Sequence, residues 1–183
     1  ADRRSRVTIP HTAAVVLLAQ VELPHETTAA QMYAEVGLAA SPQAPDTPIV
    51  RLCRLLEADG LLEATELAAP GDRTRAAALL ALREAVPEAV NRRIGIAKRR
   101  VDDTIEKTAA DMIVPYPRFA DSLSLFRDAF ESRGLDYAIW GHLSDANLHP
   151  NVIPRSAADV RLGQDAILAC GREVIRWGGC PLA

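Results

Sequence analysis

Two strand-like runs, Asp136-Tyr-Ala-Ile-Trp-Gly-His142 and Leu148-His-Pro-Asn-Val-Ile153, flank Ser144-Asp-Ala-Asn147, whose residue types favour a turn. A turn of that kind joins antiparallel strands, so the sequence commits this region to a β-hairpin. With the turn centred on Asp145 and Ala146, Ser144 opposes Asn147, Leu143 opposes Leu148 and His142 opposes His149. Alternation then places Trp140, His142, Asn147, His149 and Asn151 on one face, and Tyr137, Ile139, Leu148, Pro150 and Val152 on the other. The second face can serve a core. On the first, two opposed imidazoles with Cβ atoms roughly 5 Å apart can converge on one metal ion. Two ligands alone do not make a metal site, and an ordinary hydrogen-bonded histidine pair near a sheet edge is the competing reading. Trp140 by itself reads as packing.

The segment Gly141-His-Leu-Ser-Asp-Ala-Asn-Leu-His149 resembles the hallmark G-H-x-G-D-x-N-x-H of the C-terminal domain of FAD-linked oxidases and dehydrogenases of 2-hydroxy acids. That group holds glycolate oxidase, D-lactate dehydrogenase and D-2-hydroxyglutarate dehydrogenase. The match falls on Gly141, His142, Asp145, Asn147 and His149. Ser144 replaces the turn glycine, and Ala146 stands where many members carry glycine, so both remove backbone freedom at a turn that needs it if φ is positive. Leu82-Arg-Glu-Ala85 is similar to the family's L-R-E-A helix segment, and Ala110-Asp-Met-Ile-Val-Pro115 to its D-x-x-V-P strand. Gly178-Gly-Cys-Pro-Leu-Ala183 resembles the run before the family's E-H-G motif, which by analogy supplies a carboxylate metal ligand and the histidine acting as general base. On this resemblance the chain is expected to be part of a longer flavoenzyme, with most FAD contacts made by a separate domain upstream.

The resemblance implies oxidation of a small 2-hydroxy acid to the 2-oxo acid. That reaction requires an anchor for the carboxylate, removal of the hydroxyl proton, and Cα held against the flavin. Arg83, at the L-R-E position, is the expected anchor, since a guanidinium pairs bidentately with a carboxylate. Lys107 is a second candidate, although family members place their lysine two residues before the strand aspartate and here it lies four before Asp111. Asn147 is expected to hydrogen-bond the substrate. His142 and His149 are the expected ligands of a divalent ion such as zinc, with His149 also catalytic, the ion acting as a Lewis acid on substrate oxygens. Asp145 reads as a turn residue, and His11 and His25 as surface residues. A non-catalytic ferredoxin-like module that binds a small molecule or metal is the alternative. A metal-dependent hydrolase ranks last, for want of a third ligand and a base.

The 183 residues suffice for one domain, 1–183, with a proper core. The net charge of -3, with Lys98-Arg-Arg100 answered by Asp102 and Asp103, gives no case for nucleic acid. Cys53, Cys170 and Cys180 form no paired framework, which suits a cytoplasmic protein, peripheral attachment to the inner membrane being the variant. The apolar run Thr12–Leu23 contains Gln20 and Glu22, is too short to span a bilayer, and reads from Ala14 as a strand. Helices are expected over Thr27–Ala39 and Pro48–Asp59, then a strand over Leu61–Leu67, and a helix capped by Asp72 that runs through Arg83 and is kinked or restarted at Pro87. A strand at Asp111–Pro115, a helix opened by Pro117 and closed by Gly134, the hairpin, and a helix capped by Ser156 complete the chain. Strand, helical crossover and strand in each half give an α+β, ferredoxin-like split β-α-β fold, its antiparallel sheet packed by helices on one face.

Overall fold

The computed structural model describes residues 15–182; His11 and Ala14 lie outside them. The chain divides into two compact units, the first ending at Ala85 and the second running Val86–Ala183.

The first unit is helical. Thr28 caps α1 (Ala29–Leu38) through a reciprocal capping box with Gln31, and Thr47 caps α2 (Pro48–Ala58), with Pro48 in the first turn, where its missing N–H costs nothing. Met32, Ile49, Val50 and Cys53 form the small core between them. The strand expected from Ala14 to Leu23 is not there: described residues 15–24 have no regular structure, and Val15 and Leu17 are exposed. Apolar, β-prone composition makes no strand without a neighbouring strand to bond. Leu61–Leu67 is also no strand, but carries a single 3-10 turn at Leu62–Ala64, where the Thr65 hydroxyl donates to the Leu61 carbonyl at 2.8 Å. Asp72 accepts the Arg75 amide at 2.9 Å and caps α3, which runs Arg73–Arg100 straight through Pro87. Proline removes one helical hydrogen bond, but here it does not end the helix, whose distal half is anchored by buried Val90 and Ile94.

The second unit holds the sheet. β1 (Thr108–Ala109) and β2 (Asp111–Ile113) follow one another along one edge of β4 (Asn147–Val152), pairing Ala109 with Asn151 and Met112 with Leu148. Pro150 explains their separation. Its carbonyl accepts the Ala110 amide at 3.3 Å, but it has no N–H to return, so the ladder breaks there. β3 (Tyr137–His142) pairs with β4, and β5 (Cys180–Leu182) pairs with β2, all antiparallel. With α4 (Phe119–Glu131) and α5 (Ala157–Arg176), the chain order is β-α-β-β-α-β, the ferredoxin-like arrangement. It is therefore built wholly within the second unit rather than from strands in each half.

α4 presents Phe126 and Phe130 to one sheet face, and α5 presents Ala166, Cys170 and Val174; Met112, Leu148 and Val152 meet them from the strands. Burial pushes the Cys170 thiol up to about 11. The Ser156 hydroxyl accepts the Asp159 amide at the start of α5, and Gly178, at φ +85°, stops the chain after it. On the opposite face Ile105 and Ile153 pack with Val90 and Ile94 of α3, and Ala138 and Trp140 border that cluster. Among the described residues no helix is long and apolar enough to cross a membrane.

Candidate functional site

The hairpin turn differs from the expected one, and this changes which histidine meets what. Leu143–Asp145 form a 3-10 turn and Ala146 follows in the left-handed region at φ +53°, so four residues link the strands rather than two. Asp145 accepts the Asn147 amide at 3.2 Å, the turn-closing role expected of it. The register is consequently shifted by two: Trp140 opposes His149 and His142 opposes Asn147. His142 does not face His149 directly. Because side chains alternate with period two, an even shift leaves every residue on its expected face, and the two imidazoles remain diagonal neighbours with ring centroids 5.4 Å apart. Gly141 makes the approach possible, since a Cβ there would lie 2.2 Å from the Asn147 carbonyl oxygen.

Asp111 completes the arrangement from β2. Its Oδ1 lies 2.5 Å from His149 Nδ1, with the imidazole largely covered (18 % exposed) and the carboxylate half open to solvent (52 %). A carboxylate oxygen accepts, so Nδ1 is the donating nitrogen, and in the neutral ring the lone pair lies on Nε2. His149 is thus held in one tautomer and one orientation. Asn151 is 1 % exposed; its Nδ2 donates to the His149 carbonyl at 2.7 Å, while its Oδ1 has no partner among the described residues. The Asn147 Oδ1 is buried and unpartnered as well. A buried oxygen left so costs about 1–3 kcal/mol, which a donor arriving at the site would relieve.

Lys107, Ala109, Asp111, Trp140, His149 and Asn151 line a shallow concavity of about 220 Å³. Of the residues expected from the sequence, the structure brings Lys107 and His149 together here, with Asn147 and His142 further along the same face. Arg83 is exposed on α3 in the first unit. Sequence reasoning missed Asp111 and Asn151 as site residues and took Trp140 for packing alone. Asp111 is 38 positions from His149, and only the β2 to β4 pairing, which no local pattern encodes, unites them.

As a pair of metal donors the two rings fit, since two imidazoles on one tetrahedral ion stand roughly 5 Å apart given zinc–nitrogen bonds of about 2.1 Å. A carboxylate on the second nitrogen is what metal-bound histidines typically carry. The described residues offer no group of three His, Cys, Asp or Glu side chains that could hold an ion, so two donors are all they supply. No curated protein matches the chain. Over residues 11–179 the sequence matches the family "FAD linked oxidases, C-terminal domain", and the chain therefore belongs to that family and is a domain of an FAD-dependent oxidoreductase.

Proposed function

We propose that this domain presents a small 2-hydroxy acid for oxidation to the 2-oxo acid, with His149 as the proton acceptor. The observation that carries the reading is the Asp111–His149 contact, which leaves a basic Nε2 in a concavity that also holds one cation. Lys107 pairs with the substrate carboxylate, and Asn151 Oδ1 accepts from a water beside the hydroxyl. His149 Nε2 then takes the hydroxyl proton as the C=O bond forms, and Asp111 stabilises the imidazolium. The flavin would supply the hydride acceptor for Cα. Arg83 is the second cation of the proposal, carried over from the resemblance at Leu82-Arg-Glu-Ala85.

Anaerobic bleaching of the flavin by a panel of small 2-hydroxy acids tests this in the flavin-loaded enzyme. Bleaching is expected with at least one acid, and His149→Ala should slow it by about 10²- to 10⁴-fold while leaving flavin content unchanged. Absence of bleaching by every acid, or full speed in the mutant, contradicts the proposal.

A second reading is favoured by the 5.4 Å spacing of the two rings: His142 and His149 would hold a divalent ion, which would supply Lewis acidity. In that reading His149 would serve as a ligand and not as the proton acceptor. Chelator treatment distinguishes the two, since it abolishes turnover in the second reading and spares it in the first.

A further inference from the structure

We infer that Trp140 is a positioning residue, holding the ammonium of Lys107 over its indole so that the substrate carboxylate is met at a fixed distance from His149. This rests on the proposed role of Lys107.

Lys107 is exposed and directly precedes β1. Its flexible stem would have to be ordered anew by each substrate, which erodes the benefit of a carboxylate contact. Among the described residues no ion pair restrains it. What does restrain it is Trp140, with Nζ 5.6 Å from the ring centroid, within the range where a cation is drawn to an aromatic face. Tryptophan has the strongest such face of the side chains.

The platform is itself fixed. Trp140 borders the apolar cluster of Val90, Ile94, Ile105 and Ile153, and it stands directly across the hairpin from His149. Platform, cation and imidazole therefore share one rigid register, and all three line the same concavity. One small molecule can present its carboxylate to Lys107 and its hydroxyl to His149 without either side chain having to search for it. The arrangement also accounts for a lysine four residues before Asp111 serving the site: what places it is a cross-strand indole and not its spacing from Asp111.

Replacing Trp140, in the flavin-loaded enzyme, with tryptophans bearing successively more ring fluorines weakens the ring's negative face while keeping its shape. Oxamate serves as an unreactive carboxylate probe, titrated by calorimetry. Its Kd should rise stepwise along the series, reaching about two- to fivefold, with the melting temperature unchanged. In a Lys107→Met background, where binding is weaker throughout, the same series should leave Kd flat. A Kd indifferent to fluorination in the wild-type background, an equal rise in the Lys107→Met background, or no oxamate binding at all overturns the inference. Failure of the functional reading shows separately, as no turnover of any 2-hydroxy acid, and the oxamate titration still decides the role of Trp140.

Discussion

Leu148 and Val152 on β4 point into the core, while His149 and Asn151, each one step away along the same strand, point to the opposite face. The first pair touches Phe126, Phe130 and α5; the second meets Asp111, Lys107 and Trp140. A single strand thus carries stability on one side and chemistry on the other. The difference teaches how tightly register is constrained here, because a slip of one residue would send the histidine into the core and the leucine into the site, whereas the two-residue shift actually found disturbs neither.

The sharpest contrast between the faces should come from truncating each. Phe126→Ala empties a fully buried position and should cost about 3–5 kcal/mol in denaturant unfolding. His149→Ala removes a side chain whose surroundings are polar and partly open, and should cost no more than about 1 kcal/mol while abolishing most turnover. Equal losses of stability would erase the distinction. Next in size is Gly141→Ala, where the new methyl meets the Asn147 carbonyl oxygen and the Leu148 Cα. Spreading the hairpin to admit it should cost about 1–3 kcal/mol and weaken activity as well, since it separates β3 from β4 on both faces at once.

A smaller effect separates the cysteines. Cys170 lies in the core cluster with its thiol raised by burial from its ordinary 9.0 to about 11, whereas Cys180 is exposed and opposes Ile113 on the other face. A thiol whose folded value exceeds its unfolded one stabilises the fold fully below pH 9.0, and that contribution is lost as pH rises through about 11. Unfolding midpoints should therefore decline over that window, less so in Cys170→Ala. Alkylation at pH 8 followed by peptide mass analysis should label Cys180 and spare Cys170 until the protein unfolds.

Much of the hairpin was legible because its signals are local: turn residues and alternation. The caps of α3 and α5, Asp72 and Ser156, were legible for the same reason, as each rests on a side-chain oxygen reaching an amide within a single turn. What escaped was long-range. Residues 15–23 and Leu61–Leu67 have strand-like composition, but nothing nearby in sequence reveals that no strand pairs with them. The turn length hinged on Ala146 adopting positive φ, against the preference of an alanine. Asp111 could be placed in a strand but not beside His149, since pairing between distant strands is decided by the whole sheet.

Asp111 is proposed to act through His149, and a double-mutant cycle on kcat/KM is the decisive measurement. Asp111→Asn alone should lower kcat/KM by about 10- to 100-fold by releasing the imidazole from its tautomer and orientation. In a His149→Ala background the same substitution should change almost nothing, because there is no ring left to orient. Equal, additive losses in both backgrounds would show that Asp111 serves the reaction without His149.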